Sequence, residues 1–187
     1  ETLVCLASRQ GHPYSADRLV GYLENLNLED RDLIWTEFLR GVEPSAVYYR
    51  LLDWIEETSS HAMTEPAAKN LIKLCAMLLT TTHRPLRDRA TKALVLLGER
   101  SPRALFRSTL EMLKFNDPYV VERVVAASYG VLMRHWVFAK PRLKDEAGEI
   151  ARGLYDAMFR PSAPHATTHI LIRDYALGII TLARKLN

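Results

Sequence analysis

The chain has 187 residues, is 48% hydrophobic and carries a net charge of +3, enough apolar content for one real core. That mild positive balance does not by itself imply nucleic acid, because acidic residues are interleaved along the chain. Only 8 glycines and 9 prolines are present, which argues against a turn-rich all-β fold, and no run reaches the roughly 18 apolar residues of a membrane span.

Thr2 to Ser8 reads as the tail of a helix, and Gln10 to Tyr14 as a loop behind it. Ser15 is placed to cap the next helix, in which Leu19, Val20, Leu23 and Leu26 share a face. Leu28 to Arg40 follows with Leu33, Trp35, Phe38 and Leu39, and Gly41 stops it. Ser45 starts a helix through Glu57 that uses Val47, Tyr48, Leu51, Leu52 and Ile55. Thr58 to Glu65 is polar and is expected to be the most mobile link. Pro66 suits a first helical position, and Ala67 to Leu79 is apolar nearly all round, as in a helix buried on more than one side.

Thr80 to His83 makes a tight loop into the segment that organises the chain, Arg84 to Gly98. There Leu86, Ala90, Ala93, Leu94 and Leu97 form one apolar face, while Arg84, Arg87, Asp88, Arg89 and Lys92 crowd the first turns. Ser101-Pro102 opens a helix over Arg103 to Phe115, and Asp117-Pro118 opens another from Tyr119 to about Val137. Pro141 and the charged run Arg142 to Glu149 precede a helix to Phe159. Pro161 to Pro164 is a loop, and Thr167 or Thr168 is placed to cap a final helix that ends near Lys185. No segment alternates as a strand would.

The charged doublet of the organising helix returns as Glu122 and Arg123 and again as Arg173 and Asp174, each followed by apolar residues at helical spacing. Asp88 and Glu122 lie 34 residues apart, near the roughly 40 of one HEAT-type helix pair, whereas the next interval is longer. The fold expected is therefore all-α, an irregular α-solenoid of HEAT/armadillo-like helix pairs in a single domain over 1–187. A start at Glu1 rather than methionine suggests a fragment of a larger protein. Cys5 and Cys75 stand far apart in apolar surroundings, which reads as two buried thiols in a reducing, cytoplasmic setting.

The motifs of chemistry are missing. There is no glycine-rich phosphate loop and no Gly-x-Ser-x-Gly elbow. His165 and His169 have zinc-like spacing, but Ala166 stands where a metalloprotease has glutamate. No catalytic residue, metal or cofactor is therefore expected, and Trp35, Trp54 and Trp136 read as core. The candidate contact residues are Arg84, Arg87, Asp88, Arg89, Lys92, Glu122, Arg123, Arg173 and Asp174. They form either a partner-binding stripe or a ladder between helices, and the ladder, with Asp88 and Glu122 as acceptors, is favoured because each doublet borders the packing face.

Thr81 through Val95 resembles a block found in large bacterial ATP-binding proteins of the NACHT and STAND class, and Asn116 through Arg123, continuing to Tyr129 and Gly130, resembles a second. Arg31 and Asp32 with Trp35 are similar to a weaker third block. In such proteins a nucleotidase module is followed by a long helical region, and many members act in defence against phages. The resemblance implies that this chain belongs to the helical region that senses a foreign protein, and is inactive alone. The function expected is a non-enzymatic interaction scaffold with an unidentified protein partner and no membrane. The alternative is a nucleic-acid-binding helical repeat, with a glycosylase-like enzyme third.

Overall fold

A computed structural model describes residues 2–9, 11–40, 46–58, 63–138 and 143–186. Among the described residues the chain is all-α, with ten helices and no strand. They are α1 Thr2–Ala7, α2 Ala16–Asn25, α3 (Leu28–Arg31 and Glu37–Arg40 joined by a π-helical turn, Asp32–Thr36), α4 Val47–Glu57 and α5 Glu65–Leu78. After these come α6 Arg84–Arg100, α7 Pro102–Met112, α8 Pro118–Val137, α9 Lys144–Met158 and α10 Ile170–Leu186. Gly41 as the stop of α3, Ser45 as the start of α4, the middle of the polar link at 59–62, and Pro141 with Arg142 lie outside the described residues.

From α5 onward helices that follow one another pack together except α8 and α9: α5 on α6, α6 on α7, α7 on α8, and α9 on α10. Helices two apart also touch, with α4, α6, α8 and α10 in one row and α5, α7 and α9 in another; α2 leans on α5. α5 lies between these neighbours, and every residue from Leu71 to Leu79 is buried. The face foreseen for α6 is the observed one, since Leu86, Ala90, Ala93, Leu94 and Leu97 are all fully buried. Gly98 finishes that face at a point where α7 and α8 press close: an added Cβ would stand 2.4 Å from Leu105 Cδ2 and 3.0 Å from Val131 Cγ2. Both neighbours are fully buried and have nowhere to swing. Gly98→Ala should therefore destabilise by about 1–2 kcal/mol despite the better helix propensity of alanine. Gly130→Ala, with nothing within 4 Å of the added carbon, should stabilise by up to about 1 kcal/mol. Thermal melts of the two variants should move in opposite directions.

The helix starts differ from the sequence reading in instructive ways. Ser15 and Ser101 occupy cap positions without a side-chain hydrogen bond. The Ala16 amide donates instead to Asn70 Oδ1 of α5 at 3.0 Å, so a distant residue caps α2. Asp117 does cap α8, accepting from the Tyr119 amide at 3.0 Å. The charged run at Lys144 to Glu149 is not a preface to α9 but its first two turns, with Asp145 and Glu146 where the helix dipole favours acids. α10 starts behind His169, whose Nδ1 accepts from the Ile172 amide at 3.5 Å; Thr167 serves His169 rather than the helix.

In α3 the π turn adds a residue to one turn and re-aims the side chains after it. Arg31, Trp35 and Leu39 point inward, and Trp35 Nε1 donates to the Met77 carbonyl at 2.9 Å. Leu33 and Phe38, expected among the apolar contacts of this helix, are exposed.

An ionic knot ties α2, α5 and α7. Lys73 of α5 is nearly buried and pairs with Asp17 of α2 and, at 2.7 Å, with Glu111 of α7; Lys69 reaches Glu111 at 2.6 Å. Partial burial alone would raise the Glu111 carboxyl, but the hydrogen bonds and charges of Lys69 and Lys73 outweigh it and hold the group below its ordinary value of 4.5. A carboxylate depressed in the folded state contributes stability above its unfolded pKa and loses it as pH falls through the folded one. The melting temperature should therefore drop as pH falls below about 4.5. Glu111→Gln should flatten that part of the curve.

Candidate interaction surface

The charged doublets stand at the beginnings of α6, α8 and α10, which lie in one row, with Asp88 and Asp174 exposed and the others half-buried. Arg87 of α6 and Arg123 of α8 lie over the same ring, Tyr119, with guanidinium carbons 4.7 and 5.0 Å from its centroid. Their Nε atoms are buried there without a hydrogen-bond partner, as stacking flat on an aromatic face would leave them. Arg173 stacks on Phe159 at 5.0 Å and donates to the Thr167 carbonyl at 3.2 Å. Glu122 is largely buried, 3.6 Å from His169 Nε2 and 3.8 Å from Arg123 of its own helix.

Arg89 holds α6 to α4. It reaches Asp53 at 2.5 Å and Glu56 at 3.4 Å and lies over Tyr49, while Lys92 adds a second bond to Glu56 at 3.1 Å. Asp53 and Glu56 are thus the acceptors between these helices. Asp88 is exposed and pairs with Arg84 one turn back on its own helix, 3.6 Å away, so it is not the interhelix acceptor the sequence suggested. The reason is angular: a step from 88 to 89 turns the side chain by about 100°, from the solvent side toward α4. Asp174 is exposed beside Arg173. The row therefore alternates cations with Asp53, Glu56, Asp88, Glu122 and Asp174, and it does not present an unbroken basic surface for a duplex.

A second feature lies between α1, α4 and α5. Val4 of α1, Leu51 and Trp54 of α4, and Met63 and Leu71 beside and within α5 wall an apolar groove of about 930 Å³. Trp54 is 45% exposed. Cys5 stands on the groove wall, exposed, so it is not the buried thiol expected; Cys75 is fully buried and burial pushes it up to about 12. Trp136 is likewise exposed, leaving Trp35 as the one core tryptophan of the three.

The signal for the groove is in α4. Tyr48, Leu52 and Ile55 make one buried stripe, and Val47, Leu51, Trp54 and Thr58 make a second at the same spacing. Two adjacent stripes are more apolar surface than one packing face needs. Read as a single set, they hid the surplus. The His165 and His169 pair has no metal-site companions: among the described residues no group of three potential ligands comes together. Among the same residues, no helix is long and apolar enough to cross a membrane. Comparison with protein-family models, with curated proteins and with solved structures gave no match.

Proposed function

We propose that the chain is a non-enzymatic protein-interaction scaffold, an irregular α-solenoid of HEAT-like helix pairs. The pairs are α5–α6, α7–α8 and α9–α10. Their order supports this reading, since each pair leans on the next through both of its helices. The observation that carries the functional reading is the groove: an apolar hollow of about 930 Å³ with a half-exposed tryptophan on its wall. A wide apolar opening of this kind marks a surface that another molecule covers, and tryptophan is enriched among residues that dominate protein–protein binding.

We propose further that the scaffold is the sensor portion of a larger bacterial NTPase of the STAND class, acting in the cytoplasm. The support is that the two resembling blocks fall on equivalent places, the starts of α6 and α8, rather than on unrelated parts of the chain.

Affinity capture from nuclease-treated lysate tests the class of partner. The parent chain should retain a discrete protein, and Trp54→Ala should retain it at least about tenfold less. A duplex titrated at 50 and 200 mM salt should bind weakly at both. Retention that disappears with nuclease, or duplex affinity that falls steeply with salt, would favour the nucleic-acid reading, for which Arg84, Arg87, Arg123 and Arg173 are the phosphate contacts to mutate.

A further inference from the structure

We infer that the groove between α1, α4 and α5 takes one face of an acidic amphipathic helix of a partner protein, about three turns long. This rests on the scaffold reading and names the kind of partner. The length follows from α4. Its groove stripe runs from Val47 through Arg50, Leu51 and Trp54 to Thr58, and eleven steps at the helical rise span about 16 Å.

The partner's conformation follows from what the walls offer. They are mostly flanks of α1, α4 and α5, and a helix flank presents side chains rather than the open row of amides and carbonyls of a strand edge. The hydroxyls at the rim are also engaged with their own backbones: Ser8 donates to the Cys5 carbonyl at 2.8 Å, Thr58 donates to the Trp54 carbonyl at 2.5 Å, and Thr64 accepts from the Ala67 amide at 3.4 Å. An extended peptide laid against such walls would bury its own amides and carbonyls without partners. A helix satisfies them internally and needs only an apolar stripe.

The partner's charge follows from Arg50. It is the one charged side chain on the groove wall among the described residues, it is exposed, and it has no ion-pair partner among them. Arg89, which also reaches α4, is by contrast bound to Asp53 and Glu56. A carboxylate placed beside the partner's apolar stripe meets Arg50, while the stripe covers Trp54 and Leu51. A cation at the same place is repelled.

The test uses a fluorescein-labelled, hydrocarbon-stapled helix of about 14 residues with leucines at i, i+4 and i+7 and one glutamate at the stripe's edge, titrated by anisotropy into the full 187-residue chain. A twin carries lysine in place of the glutamate. The glutamate helix should bind about tenfold tighter than its twin, Arg50→Glu should reverse that order, and Trp54→Ala should weaken both about tenfold. Superimposable thermal melts keep the variants comparable. Equal binding of the two helices, or a preference that survives Arg50→Glu, overturns the inference. Displacement of the helix by dodecanoate more readily than by unlabelled helix also overturns it, and makes the groove an acyl-chain site. If the helices fail while Arg87→Glu with Arg123→Glu abolishes capture of the lysate protein, the scaffold reading stands and the groove assignment falls.

Discussion

Asn70→Ala is expected to lower the melting temperature by about 10 °C, as roughly 3 kcal/mol does in a chain of this size. Asn70 sits buried in α5, far in sequence from the two groups it serves. Its Oδ1 accepts from the Ala16 amide, the first of α2, at 3.0 Å, and its Nδ2 donates to the Ala7 carbonyl at the end of α1, at 2.6 Å. Ala7 and Ala16 are themselves fully buried, so truncation leaves a donor and an acceptor with neither protein nor water. Each such orphan costs about 1–3 kcal/mol. Asn25→Ala is the control: its amide bonds the Gly21 carbonyl of its own helix in an exposed setting, and its loss should barely register. Circular dichroism melts of the two variants check the contrast. Equal melting would mean that α1 and α2 are not clamped through Asn70.

The second large effect concerns Arg31, which is 1% exposed. Its guanidinium lies 4.8 Å from the Phe115 centroid, donates to Asn116 Oδ1 and stands 3.6 Å from Asp117 Oδ2. A buried cation is tolerated only while its partners remain, and removing a partner costs about 3–5 kcal/mol. Asp117→Ala should approach the lower part of that range, because it also removes the cap of α8. Asp117→Asn keeps an oxygen for the Tyr119 amide and should lose clearly less. Arg31→Met removes the charge that needed a partner, so Asp117→Ala should cost less in that background than in the parent. A urea double-mutant cycle measures the difference. Additive losses would show that Arg31 and Asp117 act independently.

Helices were legible in the sequence wherever a local signal decides them. Asp117-Pro118 and the apolar face of α6 lie within a few residues of what they specify, and both stand as read. The long-range clamps were not legible. Nothing near Ser15 says that Asn70, 54 residues from Ala16, will cap α2, and nothing in Arg31 announces Asn116 and Asp117. Arg31 reads as one more member of a charged run, yet it lies four and eight residues before Trp35 and Leu39 on the inward side and is buried with them.

The candidate contact residues divide along the same line. Their grouping at the starts of α6, α8 and α10 follows from sequence spacing, but which member of a doublet crosses to the next helix, and that the acceptors there are Asp53 and Glu56 of α4, does not. Asp88 faces solvent while Arg89 turns toward Asp53 and Glu56, and periodicity alone does not resolve neighbours at the border of a packing face. The groove lay in the surplus apolar stripe of α4, visible only once Tyr48, Leu52 and Ile55 are seen to suffice for the core. Arg100 shows the limit of reading charge as surface. It is partly buried, and donates at 2.6 Å to the Ile55 carbonyl near the end of α4.

The measurement that bears most directly on the scaffold function is photo-cross-linking from position 54. With p-benzoylphenylalanine in place of Trp54, irradiation in nuclease-treated lysate should give one discrete, protease-sensitive adduct. The same group at position 136, exposed but away from the groove, should give none. Adducts of equal abundance from both positions, or none from position 54, would contradict a protein-binding role for this surface.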